Sequence, residues 1–224
     1  MKDWRLIYII FAKSEDKLYI SNKNRQAYFV LLSVCIIFVR INLKNCNVIF
    51  DKETYVQRRA LLKKNIGSGV LLFLGNDEQG LNYEDNAFRY RQDSTFLYYF
   101  GLSFAGLSAI IDIDEDKEII FGDELTIDHI VWMGTQPTLK EKSERVGIRE
   151  TLPSAAIISY LHKAVQKGQT VHYLPPYRPE HKLKLMDWLG IPPARQEGSV
   201  PFIRAVVAQR NYKSAEEIAE IEKA

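Results

Sequence analysis

A mixed β-sheet flanked by helices on both faces, an α/β fold, is the architecture this sequence predicts. Three observations carry it. The run Gly69–Gly75, GVLLFLG, is apolar between bracketing glycines, which suits a strand buried on both faces. Ala109–Ile113 and Glu118–Phe121 are apolar runs separated by an acidic turn, the pattern of a hairpin. From Thr138 onward, helical segments alternate with short apolar strands.

Thr54 opens a helix, TYVQRRALLKKNIG, which Gly67 stops. Tyr55, Leu61 and Leu62 are expected on its buried face, with Arg58, Arg59, Lys63 and Lys64 solvated around the rest. The hairpin turn, Asp114–Lys117, lies within an alternation of Asp112, Asp114 and Asp116 that invites a calcium reading. A calcium loop starting at Asp112 needs glycine at its sixth position and glutamate at its twelfth. Lys117 and Asp123 stand there, so the turn is read as structural. Helices are expected over Thr138–Val146, over Ser154–Gln166 with Ser154 as cap, and over Pro179–Leu189 closed by Gly190. Thr170–Pro175, TVHYLP, reads as a strand, and Ser199–Asn211 as a helix with Pro201 near its first turn. Ser214 and Glu217 form a capping box that opens the final helix.

A chain of 224 residues can bury one substantial core, or one domain with an appendage. A net charge of +2 gives no reason to expect nucleic acid or an anionic membrane as partner. Residues 1–50 nevertheless hold eight Lys/Arg against three Asp/Glu. Their apolar stretch Ala27–Val39 is thirteen residues long, short of the roughly twenty that span a bilayer. Residues 1–49 read as foreign to the domain that follows, or as a hydrophobic extension of it. Cys35 and Cys46 suggest neither a disulfide framework nor a zinc site, so a reduced, cytoplasmic setting is expected.

Few residues of the sequence stand in patterns that carry chemistry. His129, His162, His172 and His181 show no metal-binding spacing. His162 and His181 are expected at the surface, and His172 half-buried in its strand. No phosphate-binding glycine loop with Lys-Ser/Thr occurs, and GLSFAG is one residue too long for a nucleophile elbow.

The stretch FRYRQDSTFLYYFGL, Phe88–Leu102, mixes six aromatic residues with Arg89, Arg91, Gln92 and Asp93. Ser94 is read as an N-cap and Gly101 as the stop of a short helix, Thr95–Phe100. Ahead of it an extended segment points Phe88, Tyr90 and Gln92 one way and Arg89 and Arg91 the other. Arginine forks beside tyrosines suit carboxylate recognition, or an ion pair with Asp93 or Glu84.

FRYRQDSTFLYYFGL resembles the signature of the N-terminal domain of the aminopeptidase P, prolidase and creatinase family of metallopeptidases. IVWMGTQPTLKEKSERVGI is similar to that domain's later Trp-x-Gly segment, and VVAQRNYKSAEEIAEIEKA to its linker into the catalytic domain. The resemblance covers residues 50–224, with the N-terminal domain over 50–210 and the start of the linker helix over 211–224. It implies a ribonuclease H-like α/β fold and a role in a Xaa-Pro aminopeptidase. Two manganese or similar ions would then belong to a catalytic domain following Ala224, with no catalytic or metal residue in this chain. The implied partners are short peptides with proline at the second position, the chain's own catalytic domain and further copies in a homo-oligomer. Candidates for a substrate rim or subunit interface are Arg89, Arg91, Asp93, Leu97, Tyr98, Tyr99, His129 and Trp132. Leu97 stands where some members carry Trp. A prolidase or creatinase N-terminal domain and a metal-free binding module are the alternatives.

Overall fold

The computed structural model describes residues 48–83, 86–134 and 136–223, which fall within one compact unit, Cys46–Ala224. The reading of residues 1–49 therefore concerns a segment that lies, up to residue 47, outside the described residues.

Helix α1, Lys52–Ile66, is followed by strand β1, Val70–Leu74. A two-stranded ribbon comes next, β2 (Gly80–Tyr83) and β3 (Asn86–Ala87), and then helix α2, Ser94–Phe100. The hairpin β4 (Ser108–Asp112) and β5 (Lys117–Phe121) leads through helices α3 (Ile127–Met133) and α4 (Leu139–Glu144) to β6 (Glu150–Leu152). Helix α5 (Ala156–Gln166), strand β7 (Val171–Tyr173), helix α6 (Pro179–Leu189), helix α7 (Val200–Asn211) and helix α8 (Ala215–Ile221) complete the described chain.

The five-stranded sheet has the order β6-β5-β4-β1-β7. Its centre is antiparallel, with Leu72 opposite Ile110 and Ile110 opposite Ile119. The flanking strands β7 and β6 run parallel to β1 and β5 respectively, so the sheet is mixed. Alternation along the strands sorts side chains between two cores. Leu71, Phe73, Ala109, Ile111 and Ile120 point into one, which α1, α2, α4 and α7 cover with Leu62, Phe100, Leu139 and Phe202. Val70, Leu72, Ile110, Ile119 and Phe121 point into the other, which α5 and α6 cover with Ile157, Leu161 and Leu185. Helices thus flank both faces.

Several local expectations are corrected. The hairpin strands begin one residue earlier than predicted, because buried Asp112 ends β4. Its carboxylate accepts hydrogen bonds from Tyr160 Oη at 2.8 Å, Gln169 Nε2 at 2.9 Å and the Glu115 N–H at 3.1 Å. Ser154 does not cap α5, which starts at Ala156 with no side-chain cap; the Ser154 N–H instead donates to Asp123 Oδ1. Leu61 is exposed, whereas Arg58 and Arg59 are buried. The cause is spacing: Tyr55, Arg58, Arg59 and Leu62 stand at i, i+3, i+4 and i+7, one face of a helix. His181 is buried rather than at the surface, its Nε2 3.1 Å from the Gly75 carbonyl oxygen at the end of β1. His162 is exposed and His172 half-buried, with its Nδ1 unpartnered.

Candidate functional site

The signature stretch supplies the densest cluster of aromatic and charged groups. Helix α2 is capped by Asp93 and not by Ser94. Asp93 Oδ1 accepts from the N–H groups of Thr95 and Phe96 at 2.8 and 2.9 Å, and Oδ2 accepts from Tyr177 Oη at 3.2 Å. Both residue types cap well, and the one whose carboxylate reaches two orphan amides prevails. The helix ends at Gly101, whose φ of 63° is left-handed. A Cβ there would lie 2.5 Å from the Tyr55 ring, so glycine lets α1 and α2 meet.

Two neighbouring arginines of α1 grip this helix. Arg59 is fully buried with each guanidinium nitrogen bonded: Nε donates to Glu118 Oε2 at 2.7 Å, Nη1 to the Tyr99 carbonyl and Nη2 to the Val146 carbonyl. Burial pulls its pKa down, and the Glu118 carboxylate opposes that pull. Arg58 lies between rings, its guanidinium carbon 4.5 Å from the Phe50 centroid and 4.1 Å from that of Tyr98. Its Nη1 donates to the Tyr98 carbonyl at 2.9 Å.

The C-terminal elements lock onto the same helix. Tyr99 Oη donates to Gln209 Oε1, Gln209 Nε2 to the Arg58 carbonyl and Arg210 Nη1 to Thr95 Oγ1. Burial raises the Tyr98 phenol's pKa, against the nearby Arg58 charge, and raises that of Tyr99 further. A cleft of about 410 Å³ opens between these parts, with Arg58, Leu97, Tyr98, Arg210, Lys213 and Glu217 among its lining.

The predicted site residues part company here. Leu97 and Tyr98 are half-buried and line the cleft. Tyr99 is fully buried in the core, and Asp93 serves as cap. Arg89 and Arg91 are exposed, with no ion pair among the described residues; Glu84 lies outside them. Phe88 is exposed while Gln92 is buried, so the expected alternation holds only from Arg89 onward. Trp132 is 84% exposed on α3, beside Ile127 and Val131, which are exposed as well. His129 belongs to the same helix, and its side chain lies outside the described residues. Sequence reasoning missed Arg58 and Arg210, although the helical spacing of Arg58 with Tyr55 and Leu62 carried the signal. Among the described residues no group of three or more His, Cys, Asp or Glu could hold a metal ion. No described helix is long and apolar enough to cross a membrane.

Comparison with known proteins gives this arrangement a family. The family model described as "Aminopeptidase P, N-terminal domain" matches residues 55–173, more than half of the chain. A protein of Chaetomium globosum named "Probable Xaa-Pro aminopeptidase" is 29% identical over 112 residues, covering 48% of this chain and 18% of that relative. The Homo sapiens "Xaa-Pro dipeptidase" is 33% identical over 76 residues, covering 33% of this chain and 15% of its own length. Among solved structures, the Pseudomonas aeruginosa aminopeptidase PepP superposes with a TM-score of 0.63 at 23% identity, covering 76% of this chain and 40% of that one. Aminopeptidase P from E. coli follows at 0.61 and 21%, covering 76% and 41%. The alignments therefore span about two-fifths of the solved chains and under a fifth of these named relatives, and the structural likeness is one of fold. With the family model covering α1 to β7, the chain belongs to the aminopeptidase P N-terminal domain family.

Proposed function

We propose that this chain is the non-catalytic N-terminal domain of a cytoplasmic Xaa-Pro aminopeptidase, supplying subunit contacts and restricting substrates to short peptides with proline second. Hydrolysis of the Xaa-Pro bond would fall to a catalytic domain holding two manganese or similar divalent ions. The observation that carries the contact role is the exposed apolar surface of α3, where Ile127, Val131 and Trp132 stand open to solvent. An exposed Trp flanked by branched aliphatics is costly to leave wet and suits an interface anchor. Arg89, Arg91, Leu97, Tyr98 and His129 are the further candidates for that rim, while Asp93 and Tyr99 act from behind it by shaping α2. A prolidase-type assignment is the second reading, favoured by the 33% identity to the Homo sapiens dipeptidase over 76 residues.

Two measurements test the proposal. The purified chain, incubated with manganese and an Ala-Pro-containing peptide, is expected to release no N-terminal residue; metal-dependent turnover overturns the assignment. Sedimentation of the chain should reveal self-association that Trp132→Ser weakens, and an unchanged profile removes the contact role from α3.

A further inference from the structure

We propose that the cleft beside Tyr98 is a carboxylate-binding site whose inner position is held, incompletely, by the chain's own Glu217. The inference stands on the geometry of this chain and does not rest on the function proposed above.

Arg58 is the reason. Its side chain is only 7% exposed, and its Nη2 is buried without a hydrogen-bond partner. The carboxylate facing it, Glu217 Oε1, stands 3.6 Å away, within ion-pair range but beyond a hydrogen bond. A charge-assisted bond here would close to roughly 2.8 Å. Glu217 is restrained from closing the gap because its other oxygen, Oε2, accepts the Ser214 N–H at 3.0 Å in the capping box of α8. One carboxylate thus serves two positions and satisfies only one of them. A buried cation with an idle donor is an expensive arrangement unless something else completes it.

The rest of the cleft matches the missing partner. Arg210 and Lys213 line it together with Arg58, against Glu217 as the one acidic group among its described lining residues, so the charge balance favours an anion. Phe50, Tyr55 and Tyr98 give it aromatic walls, and about 410 Å³ accommodates a small organic acid or a dipeptide. The ligand class is accordingly a carboxylate on an apolar body. To reach Nη2, its carboxylate must displace that of Glu217. Ligand and α8 then compete for Arg58, and binding loosens the helix by the same free energy with which Glu217 opposes binding.

The probe is 3-phenylpropionate, with the isosteric 3-phenylpropanamide as uncharged control, titrated calorimetrically into the 224-residue chain. Glu217→Gln is the informative variant, since glutamine preserves the capping box while removing the competing charge. The acid is expected to bind at least about tenfold more tightly than the amide, and about fivefold more tightly again in Glu217→Gln. The double variant Arg210→Gln/Lys213→Gln, on partly exposed positions that leave the core intact, should weaken the acid severalfold. Acetyl-Gly-Phe with a free terminus and acetyl-Glu-Phe-amide, compared in parallel, separate a peptide terminus from an acidic side chain as the source of the carboxylate. Amide hydrogen exchange in α8 should quicken when the acid is added. Equal binding of acid and amide in both the parent chain and Glu217→Gln, or no binding to either, overturns the site; unchanged exchange in α8 overturns the coupling.

Discussion

The two faces of the sheet are built from different chemistry. On the face covered by α5 and α6, Ile157, Leu161 and Leu185 pack on Val70, Leu72 and Ile110, and the contacts are largely aliphatic. On the face covered by α1, α2 and α7, the rings of Phe73, Tyr99, Phe100 and Phe202 meet at 5.0–5.4 Å, and Arg58 and Arg59 run in beside them. The aliphatic face keeps its polar contacts to the strand ends, where Tyr160 donates to Asp112 and His181 meets the Gly75 carbonyl oxygen. The aromatic face also fixes, through Gln209 and Arg210, the position of α7 against α1 and α2. Stability can come from either kind of surface, but directional hold requires donors and acceptors.

That contrast can be broken by mutation. Arg59→Ala is expected to have the largest effect, about 4 kcal/mol in urea unfolding, because it strands two buried carbonyls and leaves Glu118 with Lys63 as its one cation among the described residues. Arg59→Met, which removes the same donors and charge but retains much of the volume, should cost less by the packing it keeps; equal losses would mean that polarity and not packing sets the value. Leu161→Ala, on the other face, should cost about 3 kcal/mol as a cavity effect, with the position of α7 and α8 unchanged by NMR. If α7 and α8 shifted as much as in the Arg59 variants, the two faces would not differ in the way described. Asp93→Ala should cost about 1 kcal/mol through loss of the cap, and Asp93→Asn clearly less.

The smallest effect is a pH dependence. Burial holds the His181 imidazole below its ordinary pKa of 6.5, outweighing the Gly75 carbonyl that opposes the shift. The unfolded chain therefore binds a proton that the folded one resists, so this contribution is complete above pH 6.5 and is lost as pH falls from there toward the lower folded value. His181→Gln should flatten the slope of urea midpoint against pH in that window. An unaltered slope would assign it to other groups.

How much of this was legible in the sequence depends on whether neighbours along the chain or across space decide. Gly67, Gly190 and the Ser214–Glu217 box end or open helices as read, because those signals act within a few residues. The wholly apolar GVLLFLG reveals a strand buried on both faces for the same reason. The fate of Arg59 was not legible from its chemistry, since its three acceptors lie 40, 59 and 87 residues away. Its helical register with Tyr55 and Leu62 carried the burial, but its charge led to the expectation of a solvated side chain. The cleft was hidden altogether: it joins residues near Phe50, Tyr98 and Lys213, which no local pattern links.

The strand order carries a consequence for how the molecule comes into being. β4 pairs with β5 through a tight turn and β1 with β4 across the stretch that holds β2, β3 and α2, but β1 also pairs with β7, whose Val171 lies about a hundred residues beyond Val70. Closing so long a loop costs entropy before the pairing repays it. The antiparallel trio can assemble while the chain is still emerging, whereas the β7 edge must wait until the chain has passed through α5. A nascent chain halted before Thr170 would hold a sheet with one open side along β1, and that side is where mispairing would begin.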